Sequence, residues 1–260
     1  MCGIFGFALK KTVSMAEVFK VLERLETHQY AEEPRPVGGY GAGVAVFQDG
    51  NVIFEKVGKT DDYSPVRRLA EAFCVDRASV LVAHARMPSP EFMATAMFME
   101  TAQPYVVQHG AKHAMVSVHN GKVENYRELR AKLDAGHVFE SERAELIDSE
   151  VIPHVFDEMF NEKRDNGKAL DALFSSLQGS NTIALLHIAD KDVFINFVHR
   201  GKTRGLRIWT NNYGEIVFCS RKEPLTDTFR NLLADGGFIE KVSIGWREEK
   251  NLKSYFRIKQ

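Results

Sequence analysis

The order of apolar segments in this 260-residue chain predicts an α+β fold built on antiparallel sheets. Strand-like runs come in clusters and hairpins, not in strict β-α-β alternation. Two of them, residues 43–48 and 51–56, are joined by Asp49-Gly50, a favoured two-residue hairpin turn. Four more, at 182–189, 192–199, 206–210 and 215–220, follow one another with only short breaks. No internal repeat and no low-complexity linker interrupts the chain, and one domain over residues 1–260 is expected.

Taken in order, residues 2–8 form a continuous apolar run and read as a buried strand. Ser14 with Glu17 makes a capping box, and Val18, Val21, Leu22 and Leu25 give the apolar stripe of a helix running to about Tyr30. The Pro/Gly-rich stretch at 33–43 is a loop. Ser64-Pro65 opens a second helix, to about Val75. Val-rich strands are expected at 79–85 and 114–120. Between them lies a long irregular stretch, 87–112, of the kind that carries function in compact domains. Helices are expected at 124–134 and 144–160, the second kinked at Pro153. A polar surface loop is expected at 161–168, then helices at 169–177 and 222–234. Final strands fall near 237–246 and 253–258.

Composition excludes several classes. With 34 basic against 35 acidic side chains the net charge is -1, so no broad positive field draws nucleic acid or anionic lipid. No apolar run approaches the roughly 20 residues of a membrane helix. The apolar start lacks a basic region ahead of it, so a signal peptide is rejected. Three cysteines, Cys2, Cys74 and Cys219, are an odd and sparse set that fits a reducing compartment, and the cytoplasm is expected. Cys74, read on a helix, and Cys219, on a strand, are expected to be buried and inert. The nine histidines show no metal-ligand spacing, and the glycines at 38–43 do not form a phosphate-cradling loop. No cofactor and no metal are expected.

Four short segments carry chemistry. Removal of Met1 would make Cys2 the N-terminus, placing a thiol and an α-amine on one residue. An α-amine titrates near pH ~8, close enough to neutrality to act as a general base for its own thiol. Gly3 leaves room beside that nucleophile, and the apolar run anchors it on a rigid strand. His119-Asn120-Gly121 ends a second strand, and an Asn amide beside a Gly N–H supplies two donors for an oxyanion. Taken alone, Asn-Gly reads more simply as a turn. His84-Ala85-Arg86 ends a third strand, and the Arg fork suits a carboxylate. Asp148, in Leu146-Ile147-Asp148-Ser149-Glu150, offers an acid for an ammonium.

In this order the four pieces resemble the class II glutamine amidotransferases of the N-terminal-nucleophile hydrolase superfamily. Met1-Cys2-Gly3-Ile4-Phe5-Gly6 looks like the family's processed N-terminus. His84-Ala85-Arg86-Met87-Pro88-Ser89 is similar to its His-Thr-Arg segment, and Thr101-Ala102-Gln103-Pro104-Tyr105 to its Asn-Ala-His/Gln-Pro-Phe segment. Val118-His119-Asn120-Gly121 through Asn125-Tyr126 and Leu129 matches His-Asn-Gly-x-x-x-Asn-Tyr-x-x-Leu. Ile147-Asp148-Ser149-Glu150-Val151 is similar to Thr-Asp-Thr/Ser-Glu-Val. The resemblance covers about 2–225 and leaves 226–260 as a C-terminal extension.

The resemblance implies a four-layer αββα sandwich and a set of roles. Cys2 is the nucleophile, with Asn120 and Gly121 as the oxyanion hole. Arg86 and Asp148 bind the carboxylate and ammonium of L-glutamine, and Met87, Ser89 and His119 complete the substrate site. His119 by itself reads as a packed neighbour of the Asn-Gly turn, not a base. The family's early Arg-Gly block, which positions the nucleophile, is blurred into Arg35-Pro36-Val37-Gly38-Gly39, leaving Arg35 as its weak candidate. Met87-Pro88 looks closer to the stand-alone amidotransferase subunits of split, archaeal-type glutamate synthases. A separate synthase subunit receiving the ammonia is the implied partner. The competing readings are another N-terminal Cys amide hydrolase, a non-catalytic regulatory or scaffold subunit that keeps the fold, and a ligand-binding protein in which Cys2 is structural.

Overall fold

β1 (Gly3–Ser14) is the strand around which the molecule is organised. Its side chains alternate as a pleated strand demands. Phe5 and Phe7 point into one apolar layer, Ile4 and Ala8 into another. Ile4, Phe5 and Phe7 are fully buried. At roughly 2–3 kcal/mol for each such side chain, this end of the chain is held against fraying. The computed structural model describes residues 2–60, 63–110 and 112–258. Whether Met1 is retained concerns a residue outside these.

β1 lies between β4 (Arg77–Ala85) and β10 (Ile216–Cys219), antiparallel to both, with Gly3 opposite Ala85 and Phe5 opposite Cys219. The hairpin of β2 (Gly41–Gln48) and β3 (Asn51–Gly58) flanks β4, and its turn residues Asp49 and Gly50 have φ of 51° and 78°. Both positive values are what a type I′ hairpin turn needs. The completed first sheet has the order β11-β9-β10-β1-β4-β2-β3, where β9 is Leu206–Thr210 and β11 is Ile239–Ile244. The second sheet has the order β12-β8-β7-β6-β5. Its strands are β5 (Tyr105–Gln108), β6 (His113–Gly121), β7 (Asn181–Ala189), β8 (Asp192–Gly201) and β12 (Lys250–Ile258).

Three apolar layers hold four structural ones. Between the sheets lie Ile4, Val82 and Phe218 against Val118, Leu186 and Phe197. The Phe197 and Phe218 rings meet edge-on at 4.9 Å. Helices α1 (Met15–Thr27), α2 (Pro65–Ala72) and α6 (Lys222–Asp235) cover the outer face of the first sheet. Helices α3 (Tyr126–Lys132), α4 (Val151–Lys163) and α5 (Asn166–Ser176) cover the second. The fold is therefore the expected αββα sandwich. The chain beyond residue 225 adds an edge strand to each sheet, β11 on β9 and β12 on β8.

Several local expectations differ. The first strand continues through the exposed Lys10, Lys11 and Thr12, because pairing with β4 resumes at Val13 after a bulge. The stretch 87–112 is two 3₁₀ turns, Pro90–Thr95 and Met99–Thr101, followed by β5. Pro153 makes no interior kink. It lies in the first turn of α4, where its missing N–H has no helical partner to lose. The loop foreseen at 161–168 shrinks to Arg164, in a left-handed conformation at φ 52°, and Asp165, whose carboxylate caps α5. Cys74 is exposed beyond the end of α2 instead of buried on it. Cys219 is buried, and burial pushes its thiol up to about 12. No helix among the described residues is long and apolar enough to cross a membrane.

Candidate active site

The site forms where β1, β4 and β6 end on the same side of the sandwich. The two sheets are stitched there by His84, fully buried on β4, whose Nε2–H donates to the His119 carbonyl on β6 at 3.2 Å. Burial lowers the His84 pKa to about 3, so the ring is neutral. The same carbonyl accepts from Gln103 Nε2 at 3.2 Å, while Gln103 Oε1 takes the His119 N–H at 2.6 Å. One Gln side chain thus completes the edge of β6.

Cys2 stands one residue ahead of Gly3 and is half-buried. The Met87 N–H donates to its sulfur at 3.2 Å, and the thiol lies 3.3 Å from the Met87 carbonyl. Gly3 has no room for a side chain. An added Cβ would sit 2.5 Å from Val37 Cγ1 and 2.7 Å from Leu25 Cγ.

On β6, Asn120 is fully buried, and neither its Oδ1 nor its Nδ2 has a hydrogen-bond partner among the described residues. An interior amide left unpaired forfeits roughly 1–3 kcal/mol per group. Such a group is retained where a ligand or a developing charge supplies the missing bond. Gly121 follows at φ 141°, and a Cβ there would fall 2.0 Å from the Ser180 carbonyl. No other residue keeps the backbone on this path past Ser180.

Arg86 leaves the end of β4 and is 4% exposed. Thr101 Oγ1 accepts from Nη1 at 2.7 Å, Thr95 Oγ1 from Nη2 at 2.9 Å, and the Thr95 carbonyl from Nη1 at 3.3 Å. The two 3₁₀ turns therefore exist to fix the guanidinium plane. Burial lowers the Arg86 pKa, against the pull of Tyr105, Cys2 and Asp148. Asp148 opens the 3₁₀ turn ahead of α4 and is 5% exposed. Its Oδ2 accepts the Val123 N–H at 2.8 Å. Burial raises its pKa to about 7, the Val123 bond opposes that, and the nearby Cys2 thiol adds to it.

The remaining expected residues fall into place differently. Asn181 Nδ2 donates to the Gln178 carbonyl, which turns Asn181 Oδ1 toward His119 Nε2 at 2.9 Å. That assignment gives His119 a proton on Nε2 and leaves Nδ1 to accept from Ser149 Oγ at 2.8 Å. Burial holds its pKa at about 3. His119 is a neutral brace that ties β6 to Ser149, next to Asp148. Met87 is buried and its backbone faces the sulfur; Ser89 is half-buried and bonds Glu91 at 3.3 Å. Arg35 enters only through its carbonyl, which accepts from Arg204 Nη2 at 3.4 Å. The buried guanidinium groups in this region are Arg204 and Arg221, paired with Glu33. Their codons lie far from the glycine-rich block, so no local motif exposed them. Thr95 was equally invisible, since a Thr in an irregular segment has no periodicity to read; Thr101 stood in a segment of the resemblance but with no role assigned. Among the described residues no cluster of His, Cys, Asp or Glu is arranged to hold a metal ion.

A family model described as a glutamine amidotransferase domain matches residues 93–227, more than half of the chain. The chain belongs to this family. It is a class II glutamine amidotransferase domain, with the two-sheet sandwich of the N-terminal-nucleophile hydrolases. It is 31% identical over 194 residues to the glutamine–fructose-6-phosphate aminotransferase (isomerizing) of Thermotoga maritima, covering 72% of this chain and 27% of that protein. It is 33% identical over 195 residues to the enzyme of the same name from Pyrobaculum aerophilum, covering 72% and 28%. The chain therefore spans little more than a quarter of these relatives. Among solved structures, the glutamine phosphoribosylpyrophosphate amidotransferase of B. subtilis aligns over all of this chain and 50% of its own, with a TM-score of 0.57 at 17% identity. A structure described as the allosteric regulatory enzyme of purine biosynthesis aligns with a TM-score of 0.61 at 16% identity, over 100% and 49%. These two matches bear on the fold alone.

Proposed function

We propose that this glutamine amidotransferase domain hydrolyses L-glutamine to glutamate and ammonia through a thioester on Cys2. Once Met1 is removed, the freed α-amine takes the thiol proton and the sulfur attacks the side-chain amide carbon. The carbonyl oxygen becomes an anion, which Asn120 Nδ2 and the Gly121 N–H receive. Collapse expels ammonia, which leaves with the proton taken from the thiol. Water then cleaves the γ-glutamyl thioester and returns the proton to sulfur. Arg86 binds the α-carboxylate and Asp148 the α-ammonium, with Met87 and Ser89 lining the approach and His119 bracing Asp148 through Ser149.

The observation that carries this reading is the Asn120 amide, buried with both polar atoms unpaired at the end of β6. A purely structural Asn would have found partners. Support for the amino-acid clamp comes from the buried opposite charges of Arg86 and Asp148, which an amino acid's two ends would neutralise.

Ammonia at neutral pH is mostly protonated and non-nucleophilic, so a glutaminase half serves a synthase best when the product is handed on directly. A separate synthase, of the kind found in split glutamate synthases, is the proposed recipient. Residues 1–260 are proposed to act as one domain.

The test is ammonia release from L-glutamine by the purified chain, compared with N-acetylglutamine and glutaminamide, and with Cys2→Ala. Activity on glutamine alone, lost in the variant, is expected. Equal activity on amides lacking the free ammonium or carboxylate would instead indicate a different amide hydrolase. No activity with any amide, alone or with a synthase, would leave the non-catalytic reading.

A further inference from the structure

A buried ion cluster ties the 33–36 segment to the chain that follows β8 and β10. The side chains of Glu33, Arg204 and Arg221 are each 3% exposed or less. Arg204, in the turn between β8 and β9, pairs with Glu33 at 3.2 Å. Arg221, just after β10, bonds the same carboxylate, donates from Nη1 to the Arg204 carbonyl at 2.7 Å and packs over the Tyr30 ring. Two arginines share the Glu33 carboxylate, and the Tyr30 hydroxyl donates to a second acid, Glu223, at 3.1 Å. A buried cluster of this kind is a poor source of stability, since well-packed apolar groups serve as well or better.

Its contacts run toward the nucleophile. Arg204 Nη2 donates to the Pro36 carbonyl at 3.1 Å and the Arg35 carbonyl at 3.4 Å. The next residue, Val37, presses on Gly3, where even a Cβ would not fit. From the other side, Ser220, the neighbour of Arg221, brackets Ile4: Ile4 N–H donates to Ser220 Oγ at 3.1 Å, and Ser220 N–H donates to the Ile4 carbonyl at 2.9 Å. Burial lowers the Arg204 pKa to about 10; the Glu33 carboxylate opposes that and the Arg221 guanidinium adds to it.

We propose that Arg204 is the nucleophile-positioning residue of this site. Its guanidinium clamps the 35–37 segment so that Val37 sets the Gly3 backbone, and with it the sulfur, against the Asn120–Gly121 donors. The role expected of Arg35 is filled from about 170 residues further along the chain. This inference rests on Cys2 being the nucleophile.

The test uses the full chain with Arg204→Gln and Arg204→Lys. Iodoacetamide labelling of Cys2 is followed by peptide mass spectrometry, with the exposed Cys74 as internal reference. Steady-state glutamine hydrolysis and melting curves are recorded in parallel. In Arg204→Gln the Cys2:Cys74 labelling ratio is expected to fall roughly tenfold or more, as for a sulfur whose backbone is no longer held in place. The loss in turnover should appear in kcat, with KM within about twofold. Arg204→Lys restores the charge but not the planar fork, and recovers only part of the ratio. An unchanged labelling ratio in either folded variant, whatever its melting temperature, overturns the proposal. If Arg204→Gln does not fold, Arg204→Lys decides alone. If the wild-type chain labels at Cys2 but does not hydrolyse glutamine, the glutaminase reading fails while the labelling ratio still judges Arg204.

Discussion

Replacing Asp148 by Asn should stabilise the protein and disable it. The carboxyl is 5% exposed, and burial raises its pKa from 3.8 to about 7. A shift of this size corresponds to about 4 kcal/mol, at 1.36 kcal/mol per unit. The sign follows from proton binding. Between pH 3.8 and about 7 the folded chain keeps the proton that the unfolded chain releases, so stability falls as pH rises through that window and stays low above it. Asn carries no charge to bury and keeps an oxygen for the Val123 N–H, now 2.8 Å from Oδ2. At pH 8 the variant should therefore gain up to about 4 kcal/mol, or several degrees in Tm. At pH 5.5 the gain should shrink to about half, since less than two units of the shift are then expressed. The same change removes the partner of the substrate ammonium. Loss of one member of a buried charge pair costs roughly 2–5 kcal/mol, so kcat/KM should fall by about two orders of magnitude. Differential scanning calorimetry at the two pH values, beside glutamine kinetics, checks both halves. A variant that melts below the wild type at pH 8 would show that Asp148 is a satisfied structural acid, and the clamp argument would collapse.

Other substitutions follow from the same geometry. Asn120→Ala should lower kcat by about 10²–10³ with little change in KM, because its amide meets charge only in the transition state. The melting temperature should barely move, since no described partner is lost. Gly121→Ala forces a Cβ to within 2.0 Å of the Ser180 carbonyl at a positive φ, and a loss of roughly 3 kcal/mol or more is expected in urea unfolding. Thr101→Val removes the 2.7 Å acceptor of Arg86. It should raise KM for glutamine by roughly tenfold while leaving kcat near wild type, as expected for loss of uniform binding. Glutamine binding measured by calorimetry should weaken as pH drops below about 7, where Asp148 takes up its proton.

The sequence was most legible where one residue's chemistry dictates its neighbours. The apolar run after Cys2, the Asp49-Gly50 turn and the His-Asn-Gly strand end could each be placed without coordinates, because pleat period and turn chemistry are local. The antiparallel α+β class followed from clustered strands, and the four-layer sandwich from the family resemblance. What escaped depends on distance along the chain. β5 is only four residues long and is defined by pairing with β6, not by its own pattern. The two 3₁₀ turns take their shape from Arg86, which they hold. Helix α4 begins at Val151 and not at 144 as expected, because Asp148 and Glu150 spend their oxygens on Val123, Glu140 and Ser141 backbone groups, organising a 3₁₀ turn first. Arg204 and Arg221 carry no signature at all, since a buried arginine reads like a surface one until its acid is found.

The central claim is that Cys2 is a glutamine-directed nucleophile, and one measurement addresses it most directly. The purified chain is treated with a diazo-ketone analogue of glutamine, and the N-terminal peptide is weighed. The account predicts a peptide that begins at Cys2, carries one adduct on that residue and is protected by excess glutamine. A peptide that retains Met1, or a free Cys2 that stays unlabelled while Cys74 reacts, would contradict it.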